Sequence, residues 1–416
     1  MFKARLGLIE VPNSSSTPRL LDSELKGAHM SQIGIGLVGY KFMGRAHSNA
    51  YRQVAHFFDV DPQPRMVAIC GRDEAGVQEA AEKLGWEGYE TDYHALITRP
   101  DVQLVDVSTP GDTHKDVVLA ALAAGKHVIC EKPLANNLAE AREMLDAARQ
   151  ADVIAVVNYN YRKVPAVQFA KKLIDDGAIG EVRHWRAVYL QDWITDPNFP
   201  LVWRLKKELA GSGALGDIAA HITDLGLYLV GPITEVVGTM STFIKERPVA
   251  TQSGGGAGLT AASGTEMGEV TVDDSTTFLA RFESGASGTF EATRLAPGRR
   301  NFNSFEVNGS KGSIAFNLER MNELQVYFEN DPAGLQGFRT INVTEGVHPY
   351  TAHWWPAGHI IGYEHTFTHA IHDLLQGIGK GVNPGPTFEE GFAVQAVLDA
   401  VERSVENHDW VAPEKA

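Results

Sequence analysis

Three residues in this sequence have types and spacings that suit proton transfer. Asp217 and His221 are four residues apart, so on a helix they would share one face, where the carboxylate can orient the imidazole. Histidine has an ordinary pKa near neutral pH, which makes His221 a candidate general base. Lys132 precedes Pro133, and its ammonium could stabilise negative charge on an oxygen. An ordinary surface pair and a solvated loop lysine are the alternatives, so the surrounding elements must decide.

Short apolar runs alternate with helix-period segments in the first part of the chain. The runs are residues 33–38, 66–70, 102–107, 127–130 and 153–157, and the helical segments are 45–54, 74–84, 114–124 and 138–149. This order predicts an α/β fold that begins with a doubly wound, parallel Rossmann sheet over residues 31–159. Lys132 then lies at the carboxyl end of a parallel strand, where open α/β sheets bind ligands.

The rhythm changes in the second part of the chain. Helical patterns at 164–176 and 218–229 accompany strand-like runs at 182–189, 235–243, 276–282, 288–293, 304–307 and 324–328. They predict an α+β domain over residues 160–416 with a mostly antiparallel sheet, for substrate binding and oligomerisation. Residues 252–268 are rich in Gly, Ala and Ser, which is typical of a flexible excursion.

Composition excludes several classes of partner. The net charge of −15, without clustered Lys and Arg, argues against nucleic acid, and no apolar run is long enough to span a membrane. Cys70 and Cys130 end buried-looking runs, which fits a reduced, cytoplasmic location. Residues 1–30 lack an apolar segment of the secretory type and are interpreted as an N-terminal extension or tag-like stretch.

A glycine turn after the first strand is the candidate phosphate site. The literal G-x-G-x-x-G at Gly34, Gly36 and Gly39 lies mostly inside the strand, so the turn is expected at residues 39–44 instead. Its residues are Gly39, Tyr40, Lys41, Phe42, Met43 and Gly44, with Lys41 replacing the middle glycine of the usual pattern. A structural strand-to-helix turn is the alternative interpretation.

The end of the second strand bears on the choice of cofactor. An acidic residue there accepts the ribose hydroxyls of NAD, whereas an arginine accommodates the extra phosphate of NADP. This chain has Arg72 followed by Asp73, so the sequence predicts NAD(P) and leaves the preference between NAD and NADP open.

Four blocks of sequence resemble the Gfo/Idh/MocA family of sugar and inositol dehydrogenases. They are the turn at residues 39–47, Ser108-Thr109-Pro110 before His114, the Glu131-Lys132-Pro133 motif, and residues 211–224 around Asp217 and His221. The resemblance runs in order from about Ile33 to the carboxyl end. It implies that Lys132, Asp217 and His221 form the catalytic set, with His221 as base, Asp217 as its orienting group and Lys132 as electrostatic partner or alternate base.

The resemblance also implies two sets of binding residues. Thr109, Pro110, His114 and Glu131 are expected beside the cofactor together with Lys132, although His114 could instead cap its helix. Aromatic faces stack on sugar C–H surfaces, and charged groups meet hydroxyls. The residues expected to bind a small carbohydrate are Tyr161, Arg162, Trp193, Trp203 and Arg204.

His365, His369 and His372 have helical spacing that imitates a metal site. The segment 365–369 lacks the acidic residue of a zinc-protease motif, so no metal is expected there. These histidines are interpreted as helix-face or pocket residues.

The resemblance implies hydride transfer between NAD(P) and a ring hydroxyl of a sugar, sugar derivative or inositol. Two alternatives remain open: a glycoside hydrolase of the same family that oxidises its substrate transiently, and a non-catalytic, dinucleotide-sensing regulatory protein. The intact Lys132, Asp217 and His221 argue against the regulatory alternative. A homodimer or homotetramer is expected from the second sheet.

Overall fold

The structure, a computed structural model, describes residues 31–252 and 262–416. The tag-like stretch 1–30 and part of the predicted excursion, residues 253–261, lie outside the described residues. Within the described ranges, no helix combines the length and apolar character that a membrane crossing requires.

The first domain contains a parallel sheet of six strands in the order β3-β2-β1-β4-β5-β6. Its strands are β1 (Gln32–Val38), β2 (Gln63–Cys70), β3 (Gly88–Glu90), β4 (Leu104–Val107), β5 (His127–Glu131) and β6 (Ala155–Asn158). Its helices are α1 (Phe42–Phe57), α2 (Glu74–Leu84), α3 (Tyr93–Thr98), α4 (His114–Ala123) and α5 (Leu138–Gln150). The order reverses between β1 and β4, which confirms the doubly wound Rossmann prediction.

The predicted strands are apolar because helices cover both faces of the sheet. All four residues of β4 and all of β6 are buried, so these strands read as continuous apolar runs. β3 and α3 were not predicted from the sequence. β3 has only three half-buried residues, too few to make a hydrophobic pattern.

The second domain is built on a sheet of eight strands in the order β16-β15-β14-β13-β7-β12-β11-β8. The strands of this domain are β7 (Val182–Leu190), β8 (Ile233–Ser241), β9 (Glu246–Gln252), β10 (Ala262–Glu269), β11 (Ser275–Phe282), β12 (Ser287–Thr293), β13 (Phe302–Gly309), β14 (Gly312–Asn317), β15 (Glu323–Phe328) and β16 (Arg339–Asn342). Its helices are α6 (Pro165–Asp175), α7 (Lys207–Ala210), α8 (Ala220–Leu229), α9 (Tyr363–Lys380) and α10 (Phe388–Asn407). Among these described strands only β7 and β12 pair in parallel, so the mostly antiparallel prediction is confirmed.

The excursion predicted at 252–268 is wrong for residues 262–268. They belong to β10, which forms an antiparallel two-stranded sheet with β9. Met267 pairs with Pro248, and Gly268 pairs with Arg247. Backbone hydrogen bonds to a neighbouring strand do not depend on side-chain size, so a run of small residues can still form a strand.

The last two helices return to the first domain. Phe367, Ile371 and Leu374 of α9 belong to the same apolar cluster as Ile33 and Ile35 of β1. The loop before α10 also contacts β6, because the backbone N–H of residue 157 donates to the carbonyl oxygen of residue 386 at 2.8 Å. Tyr363 of α9 also stacks on Phe42 at the start of α1, so the cleft beside the glycine turn is bordered by residues from both parts of the chain.

Candidate active site

The turn predicted at residues 39–44 joins β1 to α1. Gly39 has φ +106°, and a Cβ there would lie 2.6 Å from the Ser108 carbonyl oxygen. A Cβ on Gly44 would lie 2.0 Å from the carbonyl oxygen of Gly39. Gly34 and Gly36 lie inside β1, so the literal glycine motif is a strand feature, as the sequence analysis expected. The two turn glycines allow a close backbone approach that other residues would block.

The N-terminus of α1 fits the pyrophosphate of a dinucleotide. Lys41 is the N-cap and makes no side-chain capping bond, and the first turn carries no acidic residue. A helix start of this kind offers backbone N–H groups and a positive dipole end to an anion. Phe42 is 42% exposed and Met43 is half-buried, so both lie at the rim of this site.

Gly39→Ala is expected to weaken both the fold and dinucleotide binding. The substitution forces an alanine into positive φ and against Ser108, at a cost of about 1–3 kcal/mol in the free energy of unfolding. Gly85→Ala is the matched control, since Gly85 has φ +80° but no atom within 4 Å of the position that a methyl group would take. Urea unfolding and NADH fluorescence titration measure the two effects. Equal NADH affinity in the two variants would contradict the assignment of the turn.

Residues at the ends of β2 and β4 continue this edge of the sheet. Arg72 is exposed directly after β2, and Thr109 and Pro110 follow β4. The Thr113 hydroxyl donates to Thr109 Oγ1 at 2.7 Å, which fixes the loop after β4. These residues are therefore at the carboxyl edge, where the sequence placed them.

The His114 ring lies between backbone carbonyl oxygens of the protein and is not open to a cleft. It is 1% exposed, its Nε2 lies 2.9 Å from the Thr109 carbonyl oxygen, and its Nδ1 lies 3.1 Å from that of Pro133. Both ring nitrogens thus face backbone carbonyl oxygens, and the expected place of His114 beside the cofactor stays a prediction. His114 instead ties the loop after β4 to the loop after β5.

Lys132 emerges from the carboxyl end of β5 into the same cleft. Its Nζ donates to the Asp217 carbonyl oxygen at 2.7 Å and lies 3.5 Å from Asp217 Oδ1. Burial lowers the pKa of Lys132 and Arg204 acts in the same direction, while Asp217 and Glu131 oppose them. An ammonium has three donors, so one N–H remains for an oxygen of a ligand.

Asp217 is the centre of a cluster of cations. Arg204 Nη1 lies 2.9 Å from its Oδ1, and Arg294 Nη1 lies 3.5 Å from its Oδ2. Burial raises the pKa of Asp217, but Arg204, Lys132 and Arg294 outweigh burial and hold the pKa well below its usual range. Asp217 is therefore an anion that fixes the ammonium of Lys132.

His221 lies in the first turn of α8, and within the described part of the chain its imidazole makes no hydrogen bond to Asp217. Leu215–Ala219 form a π-helical turn, whose wider spiral removes the usual alignment of residues four apart. The expectation that Asp217 orients His221 through a hydrogen bond is therefore corrected. Nδ1 is buried without a partner, which leaves Nε2 as the ring nitrogen for a ligand.

Burial is the main influence on the charge of His221. Burial and the nearby charge of Lys132 together lower its pKa well below the usual value, and Asp217 opposes them only partly. The imidazole is consequently neutral at neutral pH and able to accept a proton. Lys132 Nζ lies 3.5 Å from Asp217 Oδ1, and His221 lies one turn further along the helical segment that carries Asp217, so the three residues belong to one region.

Tyrosines form one wall beside His221. The Tyr161 ring centroid lies 4.5 Å from that of His221, and its hydroxyl is 2.9 Å from the Tyr189 hydroxyl. Tyr189 in turn donates to Asn301 Oδ1 at 2.7 Å. Tyr161 was predicted from the sequence, whereas Tyr189 and Asn301 were missed because no local motif surrounds them.

A second wall consists of Trp193, Trp203 and Arg204. The two tryptophans contact Arg294 and Arg204, the two arginines that pair with Asp217. Trp193 Nε1 donates to Gln191 Oε1 at 3.0 Å, and the Arg294 guanidinium lies 5.7 Å from its ring centroid. Arg204 lies 4.5 Å from the Trp203 ring centroid. Arg294, which is fully buried, was missed because it follows an ordinary strand.

Arg162 lies in a buried ion-pair cluster instead of the cleft wall. Its Nε donates to Asp224 Oδ2 at 2.9 Å and its Nη2 to Asp224 Oδ1 at 2.6 Å, while Nη1 bonds Glu390. The residue is 4% exposed. Its donors are committed to two carboxylates, so the expectation that Arg162 meets substrate hydroxyls is corrected.

Arg162→Leu is expected to lower the free energy of unfolding by about 3–5 kcal/mol, because Asp224 is left as an uncompensated buried charge. The substrate KM should change little. Arg186→Leu is the control, since Arg186 pairs with Glu306 on the surface. Urea unfolding and steady-state kinetics separate the two effects, and a raised KM with unchanged stability would restore the substrate role.

Glu131 is buried behind Lys132 rather than open to a ligand. Its Oε1 lies 2.9 Å from His47 Nε2 and accepts the Asn158 amide at 2.7 Å, and its Oε2 accepts the Lys132 backbone N–H at 3.3 Å. Both carboxylate oxygens have protein partners, and the expected cofactor contact of Glu131 stays a prediction.

The three histidines of α9 lie among aromatic rings. His369 Nε2 accepts the Trp354 indole N–H at 2.7 Å, and burial lowers the pKa of His369 to about 3. His365 packs against Trp354, and His372 packs against Phe58. Among residues 31–252 and 262–416, no group of His, Cys, Asp or Glu could hold a metal ion. The histidines therefore pack helix α9 against Trp354, which precedes it, and against Phe58, which follows α1.

Comparisons with known proteins agree with this geometry. A family profile described as "Oxidoreductase family, NAD-binding Rossmann fold" matches residues 33–159, and one described as "GFO/IDH/MocA C-terminal domain" matches residues 167–315. The levoglucosan dehydrogenase of Pseudarthrobacter phenanthrenivorans is 44% identical over 92% of this chain and 98% of its own length.

Two solved structures are also similar over nearly the whole chain. An oxidoreductase domain protein from Kribbella flavida has a TM-score of 0.88 and 52% identity, over 93% of this chain and 100% of that chain. A levoglucosan dehydrogenase in complex with NADH and levoglucosan has a TM-score of 0.87 and 41% identity, over 92% of this chain and 100% of that chain. With its NAD-binding Rossmann domain, the chain belongs to the GFO/IDH/MocA family of oxidoreductases.

Proposed function

We propose that this protein is a dehydrogenase that moves a hydride between NAD and a ring hydroxyl carbon of a sugar-type substrate. The observation that carries the proposal is the contact of the Lys132 ammonium with the backbone carbonyl and the carboxylate of Asp217, beside the helix that carries the neutral His221 imidazole. Lys132 follows β5 and the Gly39 turn follows β1, so both lie at the carboxyl edge of the parallel sheet.

The protein residues divide the proton chemistry between them. When bound, the nicotinamide supplies the hydride acceptor for the carbon of a secondary alcohol. His221 Nε2 accepts the hydroxyl proton, because the lowered pKa keeps the ring neutral and its lone pair available. The remaining N–H of Lys132 donates to the same oxygen and stabilises its developing negative charge. The alcohol thus loses one hydride and one proton and becomes a ketone.

Asp217 holds the Lys132 ammonium in position. It accepts the Lys132 ammonium while Arg204 and Arg294 balance its charge. A lysine fixed at one end by an anion has fewer positions for its free N–H, which reduces the entropy cost of reaching the substrate oxygen. Reversal of the same steps reduces a ketone.

The walls favour a compact carbohydrate as substrate. Trp193 and Trp203 each have a guanidinium over one ring face, and we infer that the other face meets sugar C–H surfaces while Arg204, which also pairs with Asp217, meets hydroxyls. A levoglucosan dehydrogenase is similar in sequence over nearly the whole chain. We infer a pyranose-type anhydrosugar such as levoglucosan, or an inositol of similar size.

We also infer that NAD(H) is the preferred cofactor over NADP(H). The similar solved structures include levoglucosan dehydrogenases in complex with NADH. Arg72 is exposed after β2 and leaves room for the extra phosphate of NADP as a weaker alternative. The cytoplasmic location and the homodimer or homotetramer stay predictions.

A screen of anhydrosugars, pyranoses and inositols with NAD and with NADP tests the proposal through the absorbance of the reduced nicotinamide. We expect rapid reduction of NAD with one rigid polyol. Tightly retained NAD and glycoside cleavage without net reduction would favour the hydrolase alternative. Dinucleotide binding without any turnover would favour the regulatory alternative.

A further inference from the structure

A buried histidine in α1 joins two carboxylates of the central strands. His47 is 1% exposed, its Nδ1 lies 2.7 Å from Asp106 Oδ2, and its Nε2 lies 2.9 Å from Glu131 Oε1. Asp106 belongs to β4 and Glu131 ends β5, so the imidazole bridges neighbouring strands at the carboxyl edge. The proton-transfer chemistry described above does not use this histidine.

The two carboxylates favour a charged imidazole, although the Asn158 amide nitrogen also lies 3.1 Å from His47 Nε2. A neutral ring can donate from only one nitrogen, and the other nitrogen would then turn a lone pair towards a carboxylate oxygen. Burial alone would lower the pKa of His47, but Asp106 and Glu131 outweigh burial and raise the pKa to about 10. His47 is therefore a cation between two anions across the neutral pH range.

The cluster ends at the backbone of Lys132. Glu131 Oε2 accepts the Lys132 N–H at 3.3 Å, while Glu131 Oε1 also accepts the Asn158 amide at 2.7 Å. The Glu131 carboxylate thus links His47 to Lys132, whose ammonium contacts Asp217. Because Glu131 is 5% exposed, its charge is weakly screened.

We propose that His47 is a positioning residue for Lys132, acting by holding Glu131 as an ionised carboxylate directly behind the lysine. The ionised carboxylate fixes the Lys132 backbone and favours the charged form of its ammonium. This inference rests on the proposed role of Lys132 in the dehydrogenase. It adds a function for a residue outside the cleft walls.

The charges around Lys132 determine in which direction its pKa changes when Glu131 loses its negative charge. The charged groups that influence Lys132 are Glu131 of β5 and Asp217 and Arg204 of the second domain. Lys132 in turn influences His221 of α8. Glu131 and Asp217 raise the pKa of Lys132, whereas burial and Arg204 lower it. Loss of the negative charge on Glu131 therefore lowers the pKa of Lys132 further.

The groups that face His47 and Glu131 come from four elements. Tyr51 of α1 donates to Asp106 Oδ2 at 2.9 Å, and the Phe367 ring of α9 lies 5.4 Å from the His47 ring. Besides His47 and Lys132, the ionisable groups influenced by Glu131 are Cys130 of β5, Tyr159 and Tyr161 after β6, and Tyr363 of α9. Without the His47 cation, burial and Asp106 would favour protonation of Glu131.

The variants His47→Gln and Glu131→Gln test the inference on the full-length protein without cofactor or substrate. The pKa of Lys132 is read from the pH dependence of its trace acetylation by acetic anhydride, followed by mass spectrometry of the Lys132 peptide. His127→Gln is the matched control, because His127 begins the same strand and its Nδ1 accepts the Ile154 N–H instead. Circular dichroism checks that each variant is folded.

Both variants are expected to lower the pKa of Lys132 by about one unit, which is about a tenfold rise in labelling at a pH below that pKa. The double variant should match Glu131→Gln alone, because His47 acts through Glu131. An unchanged or raised pKa in His47→Gln would overturn the inference. Should that variant fail to fold, an unchanged pKa in Glu131→Gln would overturn it instead. Labelling needs no turnover, so failure here is distinct from failure of the proposed dehydrogenase activity.

Discussion

Lys132→Ala is expected to lower kcat/KM by about 10³-fold, because it removes a donor aimed at the oxygen that becomes negative during hydride transfer. It also leaves the buried Asp217 without one of its cations. The Gly39 turn follows β1, whereas Lys132 follows β5, so the affinity for NADH should stay within a few-fold of the original. Steady-state kinetics and NADH fluorescence titration measure the two quantities.

Lys126→Ala is the matched control for this prediction. Lys126 precedes the opposite end of β5, and its Nζ donates to the carbonyl oxygens of Arg99 and Val102. Its loss should affect stability more than turnover. Comparable kcat/KM in Lys132→Ala and Lys126→Ala would remove Lys132 from the reaction.

His221→Asn is expected to lower kcat by about 10²- to 10⁴-fold, the usual effect of losing a positioned general base. The pKa of His221 is depressed by burial and by Lys132, so the ring is already neutral at the ordinary histidine pKa of 6.5. Lowering the pH through that value should therefore not protonate the base, and the acid limb of kcat/KM should lie below it. An acid limb centred at the ordinary histidine value would contradict this assignment.

His348→Asn serves as the control for His221→Asn. His348 packs against Phe169, and its Nδ1 accepts the Glu345 N–H, so it belongs to a different part of the second domain. We expect its pH profile to match that of the unsubstituted protein. The comparison separates the loss of a base from a general loss of packing.

The alternation of apolar runs and helical segments predicted the first domain except for β3 and α3. Helix α2 has the predicted bounds, Glu74–Leu84, because its apolar face and its C-terminal glycine are both local signals. β14 was missed in the second domain, since its apolar run, residues 314–316, is only three residues long. β9 and β10 were missed because their composition is not strand-like. They form a sheet through their backbone pairing with each other.

The candidate site was predictable only where short motifs carry it. Lys132, Asp217 and His221 were found through their sequence blocks, and the structure brings them together. Their hydrogen bonds were not predictable, because the π-helical turn at 215–219 changes the spacing on which the Asp217 to His221 contact depended. Arg294 contacts Asp217 although the two residues are 77 positions apart in the sequence, and no local pattern predicts such a contact.

The most direct test of the central claim is a crystal structure of the protein with NADH and its best substrate from the screen. We expect one ring hydroxyl oxygen within hydrogen-bond distance of both Lys132 Nζ and His221 Nε2, with its carbon facing the nicotinamide ring. A substrate bound with that oxygen out of reach of both side chains would contradict the claim that they carry the proton chemistry.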